Sequence, residues 1–184
     1  ELDIVSGFHT DPVGLLLSHR ADWAIVSEVE QNDDVLFKPL FSYEMVGICS
    51  KDHPLANKEV WQAEDFAEET WVTYPVPDDM LDLYRQVLKP KGINPPRRTT
   101  ELTIALIQLV ASRRGIATVP YWAALPYLEK GYVVARKITE EGLYSNLYAA
   151  IRKEDANLAY IEDFHQTVKA QSFSTLPGLS VLEL

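Results

Sequence analysis

One stretch, residues 36–56 (LFKPLFSYEMVGICSKDHPLA), constrains the fold of this chain more than any other. From Leu40 to Cys49 it is a run of aromatic and apolar residues of strand type. It ends abruptly in a polar turn, Ser50-Lys51-Asp52-His53-Pro54. A strand that leaves one body of structure and enters another through such a turn is a domain crossover. The prediction is a two-lobed protein whose cleft carries the function.

The charge distribution changes at the same place. Residues 51–138 hold 12 basic and 11 acidic side chains, a net of +1, whereas the flanking pieces hold 5 basic and 16 acidic, a net of -11. The total of -10 argues against direct nucleic-acid binding by this segment, because such surfaces carry an excess of Lys and Arg. With 184 residues and 47% apolar content, the chain can bury one ordinary core or two small ones. No run of about 18 apolar residues suggests a membrane span. The chain opens on Glu1-Leu2-Asp3, with neither a starting Met nor a signal peptide, and is expected to be a fragment. Its one cysteine, Cys49, rules out an internal disulfide framework, suits a reducing compartment, and is expected to be buried packing.

Strand and helix patterns alternate along the chain, which predicts α/β lobes with largely parallel sheets. Residues 2–5 read as a strand ending at Ser6-Gly7. Asp11-Pro12 reads as a helix start, and residues 23–26 as a central strand. Residues 60–66 read as a short helix and 71–74 as a strand. Met80, Leu83, Tyr84, Val87 and Leu88 have amphipathic helical spacing, stopped by Pro90 and Gly92. Residues 97–99 read as a polar edge strand and 102–113 as a helix buried nearly all round, with Gly115 as its stop. Strands at 116–119, 132–135 and 147–151 and helices at 122–129 and 158–168 complete the pattern.

No phosphate-binding glycine loop, nucleophile elbow or HExxH motif occurs. The four histidines, His9, His19, His53 and His165, lack metal-ligand spacing and are expected in turns or at the surface. No metal, cofactor or catalytic group is expected. Ligand binding remains. In open α/β sheets, ligands sit beyond the carboxyl ends of strands, where helix N-termini offer free N–H groups. Three turns fit: Ser6-Gly7-Phe8-His9-Thr10, Thr73-Tyr74-Pro75 and Thr99-Thr100-Glu101. Each also has a plainer role: Ser6-Gly7 as a tight turn, Tyr74 as core, Thr100 as a helix N-cap.

Three segments, RADWAIVSE, FKPLFSYEMVGICSKDHPLA and IALIQLVASRRGIATVPYWA, together resemble the effector-binding domain of LysR-type transcriptional regulators over nearly the whole chain. DHPLANK, AEETWVTYPV, LKPKGINP, IQLVASRRGIATVPYW and EGLYSNLYAAIR resemble most closely the family's regulators of methionine biosynthesis. The resemblance implies two Rossmann-like lobes joined by two crossover strands, a periplasmic-binding-protein type II-like fold. Lobe I would be residues 1–50 and 139–184, and lobe II residues 51–138, with hinge points at Ser50, Lys51 and Ile138. The family's first strand and helix of lobe I are missing here.

The resemblance also implies a small-molecule effector, homocysteine or a related amino acid, and a winged helix-turn-helix domain before this chain that carries the DNA binding. Under it, Ser6, Gly7, Thr10, Thr99 or Thr100 would hold the effector carboxylate and Glu101 its ammonium, while Phe8, Tyr74 and Tyr121 would cover its thioalkyl chain. It implies antiparallel pairing into a homodimer or homotetramer through residues 2–5 and 12–20, no membrane contact, and a cytoplasmic location. A periplasmic-type solute-binding protein and a small-molecule enzyme on the same fold remain as alternatives.

Overall fold

The computed structural model describes residues 2–5 and 11–182. These divide into two compact units. One holds the described residues up to Ser42 and from Asn146 onward; the other is Tyr43–Ser145. The first boundary falls inside β2 (Val35–Cys49) and the second inside β8 (Leu143–Arg152). The strand changes its surroundings upstream of Ser50, so the change of unit precedes the polar turn that marks it in the sequence.

In the first unit, α1 (Pro12–Leu17) starts as its residues dictate: the Asp11 carboxylate accepts from the Gly14 N–H at 2.8 Å, with Pro at the first helical position. Val13 and Leu16 turn inward onto Val26, Val35 and Ala150. β1 (Ala24–Val26) pairs antiparallel with β8, Ala24 opposite Ala150. It is not the central strand that its apolar run suggests: Ile25 is 53% exposed, and among the described residues β1 ends the strand order. Residues 2–5 are in no strand, and Leu2 and Ile4 are exposed. α4 (Ala159–Thr175) buries Ile161 and His165, so His165 is a buried residue rather than a surface one. β9 (Leu179–Ser180) closes the described chain.

The second unit is a six-stranded mixed sheet. Its pairings give the order β3 (Val60–Trp61), β7 (Val134–Ile138), β2, β6 (Ile116–Pro120), β4 (Trp71–Thr73), β5 (Arg97–Thr99). β4, β5 and β6 run parallel, as do β3 and β7, while β2 runs antiparallel to both its neighbours. The sheet is therefore less parallel than the strand–helix alternation suggests.

The period of two along each strand feeds two cores. Cys49, Trp61, Trp71, Ile116 and Ile138 pack on one face with Phe66, Leu83 and Leu88. Val46, Ile48, Val72, Ala117 and Val119 pack on the other with α2 (Thr103–Ala111) and α3 (Tyr121–Glu129). Each fully buried Ile or Leu adds roughly 1.5–3 kcal/mol.

Three local readings change. Residues 60–66 are strand β3 followed by a 3-10 turn, Ala63–Phe66, because Val60-Trp61 pairs with Lys137-Ile138. The Met80–Leu88 pattern includes a five-residue π-helix, Tyr84–Leu88, which runs into a 3-10 turn ended by Gly92 at φ 67°. α2 ends at Ala111 with Ser112 as its C-cap; Arg113 then takes φ 59°, and the Arg114 N–H closes onto the Leu109 carbonyl at 2.9 Å. Gly115 instead lets two backbones approach, since a Cβ there would sit 2.1 Å from the Thr70 oxygen. Nor is α2 buried all round: Leu102 and Ile104 are exposed.

Candidate functional site

Three parallel strands of the second unit end together. Thr73 of β4 pairs with Thr99 of β5, and β6 runs on to Pro120. The residues just past these ends are Tyr74, Thr100-Glu101 and Tyr121. The Thr100 N–H donates to the Thr73 carbonyl at 3.0 Å, which fixes Thr100 immediately beyond the strand pair. Thr99 and Glu101 are exposed, and among the described residues Glu101 forms no ion pair. Tyr121 opens α3 and packs, with Tyr74, against the core of that face. Ser6, Gly7, Phe8 and Thr10, with His9, lie outside the described residues.

Thr100 is not the N-cap of α2. The cap is Leu102, whose side chain cannot accept a hydrogen bond. The first intrahelical bond of the helix is Leu106 N–H to the Leu102 carbonyl at 3.0 Å. The earlier N–H groups therefore have no intrahelical acceptor and no side-chain cap. They carry the positive end of the helix dipole next to Thr99 and Thr100. Within this first turn, the Thr103 Oγ1 shares a hydrogen bond with the Tyr74 hydroxyl at 2.7 Å. Burial pushes the Tyr74 phenol above the ordinary range, and the Thr103 bond opposes this. The phenol is thus neutral at pH 7 and holds the start of α2 against the end of β4. An uncapped helix start flanked by hydroxyls can bind a carboxylate without a cationic side chain.

A second polar group lies in the same unit, and the sequence reading missed it. The Ser145 hydroxyl donates to Asp82 Oδ2 at 2.6 Å. Asp82 also accepts from Arg85 at 2.5 Å and from the Gln86 amide at 2.9 Å. Tyr43 is hydrogen-bonded to Ser145, and its ring meets Trp122 edge-on at 6.2 Å between centroids. Burial is the main cause that raises the Tyr43 phenol; the Ser145 bond opposes it, and the nearby Asp82 and Tyr74 add to it. Ser145 carries the one visible signal, a hydroxyl on an inward position of an otherwise apolar strand face.

The expected hinge residues sit apart from this cluster. β2 runs antiparallel to β6, Ile48 opposite Ala117, so Ser50 and Lys51 lie at the amino end of the parallel strands, away from Thr100. Ser50 is buried, with its carbonyl accepting from the His53 N–H at 3.0 Å, and Lys51 is exposed. Ile138 is fully buried at the end of β7, paired with Trp61. Among the described residues, no group of three or more His, Cys, Asp or Glu side chains is placed to hold a metal ion. Among them also, no helix is long and apolar enough to cross a membrane.

Residues 1–172 match the LysR substrate binding domain family. The chain is 86% identical to the HTH-type transcriptional regulator MetR of Haemophilus influenzae over 184 residues, covering 100% of this chain and 60% of that relative. It thus spans less than two thirds of the relative's length. The regulatory domain of MetR, a LysR family regulator from N. meningitidis, superposes with a TM-score of 0.91 at 67% identity, covering 100% of this chain and 85% of that one. The effector binding domain of QuiR in complex with shikimate superposes at TM-score 0.72 and 22% identity over 90% of this chain and 79% of that one, a likeness of fold alone. The architecture is thus the periplasmic-binding-protein type II-like fold of LysR regulatory domains. By sequence over almost its full length, this chain belongs to the LysR family, as a LysR substrate-binding domain.

Proposed function

We propose that this chain is the effector-sensing part of a cytoplasmic DNA-binding transcription regulator of methionine biosynthesis, and that the effector is homocysteine or a closely related amino acid. One observation carries the site: the uncapped start of α2, with Thr99 and Thr100 before it and the Tyr74–Thr103 hydroxyl pair beside it. The effector carboxylate takes the free N–H groups of that turn and the Thr99 or Thr100 hydroxyl. Glu101, an exposed carboxylate without an ion-pair partner among the described residues, takes the ammonium. Tyr74 and Tyr121 cover the thioalkyl chain.

The 86% identity to an HTH-type transcriptional regulator, MetR, of which this chain covers 60%, supports DNA binding by a part of the intact protein outside this chain. Under this reading the lobes are residues 1–50 with 139–184 and residues 51–138, and the crossovers around Ser50-Lys51 and Ile138 are the hinge, a few residues from the unit boundaries at Ser42–Tyr43 and Ser145–Asn146. A ligand acts on such a hinge only by favouring one arrangement of the lobes. Pairing into a homodimer or homotetramer is supported by apolar side chains left outside: Leu17 of α1, and Leu102 and Ile104 at the start of α2.

Calorimetry with homocysteine tests the site. Losing one hydrogen bond to a carboxylate weakens binding about 10-fold or more. Thr100→Ala should show this with little change in melting temperature. Unchanged affinity in this variant overturns the placement.

A further inference from the structure

A groove of about 540 Å³ lies in the Tyr43–Ser145 unit, where the 3-10 turn Pro54–Asn57 meets β7. Its charged lining is Lys58, Glu59, Arg136 and Lys137, a net of +2 in a chain of net -10. Outside the lining, Asp65 pairs with Lys58. Lys137 donates to the Glu140 carbonyl at 2.6 Å, a bond that leaves its charge without a carboxylate.

Arg136 sets the character of the groove. Its Nε and Nη2 both donate to the Ala56 carbonyl, Nε at 3.0 Å, and its Nη1 donates to the Ala135 carbonyl at 2.6 Å. These are neutral acceptors. Among the described residues no carboxylate pairs with this half-buried guanidinium. The carbonyls hold the fork rigidly and use three of its five N–H groups. One N–H remains on each of Nη1 and Nη2. A fork fixed in place, with one donor left on each Nη and no counter-charge, is suited to an oxyanion.

We propose that this groove is a second binding site, for a phosphate- or sulfate-class oxyanion, with Arg136 as the anchor and Lys58 and Lys137 as flanking cations. It is separate from the strand-end cluster around Tyr74 and Thr100 and needs no residue of it. The anion is either free or carried as the phosphoryl group of a small molecule, which the groove has room to hold.

The 184-residue chain is titrated with inorganic phosphate, sulfate and glycerol phosphate at constant ionic strength, and backbone amide shifts are followed by NMR. The expected result is saturable movement confined to residues 56–59 and 135–137, tighter for glycerol phosphate if the natural ligand is a phosphoryl compound and tighter for an inorganic ion if it is free. Lys137→Ala, which removes a cation with an exposed side-chain bond, should weaken binding about 3-fold. Arg136→Lys should weaken it further while keeping the charge. Linear, unsaturable shifts with all three anions overturn the proposal, and so does saturable binding of equal strength in both variants. Homocysteine affinity, measured on the same variants, should not change.

Discussion

Arg152 is the most consequential single side chain of the first unit. It lies at the end of β8, is 7% exposed, and joins three segments. Nη1 donates to the Leu16 carbonyl at 2.9 Å and the Ala21 carbonyl at 2.5 Å, Nη2 to Asp22 at 2.7 Å, and Nε to Asp155 at 2.5 Å. Arg152→Met keeps most of the apolar stem and removes every one of these donors. The Ala21 carbonyl loses its partner, at about 1–3 kcal/mol, while the Leu16 carbonyl keeps the His19 N–H at 3.0 Å. Asp155, only 21% exposed, is left beside an apolar group. Asp22, 69% exposed, simply resolvates. Breaking a buried ionic group by removing one partner costs about 3–5 kcal/mol, so a loss of about 3–4 kcal/mol is expected.

Urea unfolding followed by tryptophan fluorescence measures it. With a slope of about 2 kcal/mol/M, the midpoint should fall by about 1.5–2 M. If the two units unfold in separate steps, the shift belongs to the step reported by Trp23, because Trp61, Trp71 and Trp122 lie in the other unit. Asp22→Asn should cost under about 1 kcal/mol, as exposed ion pairs do. A cost under about 1 kcal/mol for Arg152→Met, or an equal cost for Asp22→Asn, would refute a stabilising role for the buried Arg152 bonds.

Three further outcomes are expected. Gly47→Ala would place a Cβ 2.4 Å from Trp61 Cε3, and the Trp61 ring is fully buried and anchored by Nε1–H to the Leu55 carbonyl at 3.0 Å; a loss of about 1–3 kcal/mol should appear in urea unfolding. Burial pushes the Cys49 thiol up to about 11, so at pH 8 only about one molecule in a thousand carries the thiolate. Labelling with a thiol reagent should then need denaturant, and fast labelling of the native chain would contradict the buried placement. Burial, with Lys38 and Lys169 adding and Glu162 opposing, holds the His165 imidazole below its ordinary 6.5. The unfolded chain therefore binds this proton more readily. Stability should fall as pH drops from 6.5 toward the lowered pKa and level off below it. His165→Gln should flatten that slope, which denaturation at stepped pH will show.

Much of the architecture was legible because burial writes a period into the sequence. The alternation of Val46, Ile48 and Cys49 with their neighbours, the Trp71–Thr73 run and the Ile116–Pro120 run each mark a strand between two packed faces. The misreadings arise where a non-local partner decides. Val60-Trp61 is strand only because β7 lies beside it, and Trp23–Val26 reads as central although one face of it meets solvent at Ile25. The strand-end turns could be listed from the sequence, since helix starts follow strand ends in this class of fold. The Tyr43–Ser145–Asp82 chain could not, because it joins residues 102 positions apart through hydroxyls that have no sequence period. The N-cap of α2 differs for a related reason: Thr100 has the right chemistry, but its N–H is committed to the Thr73 carbonyl, and the cap falls two residues later, at Leu102.

The central claim is that the start of α2 and the strand ends around it receive a small amino acid. A ligand that binds only the folded chain must raise its melting temperature. The decisive measurement is a thermal-shift series with homocysteine, methionine, cysteine and O-acylated homoserines, run on the wild-type chain and on Thr100→Ala. Homocysteine should give the largest, saturable rise in the wild type, and Thr100→Ala should need about 10-fold more ligand for the same rise. No rise with any of the four, or an equal response in the variant, would contradict the account.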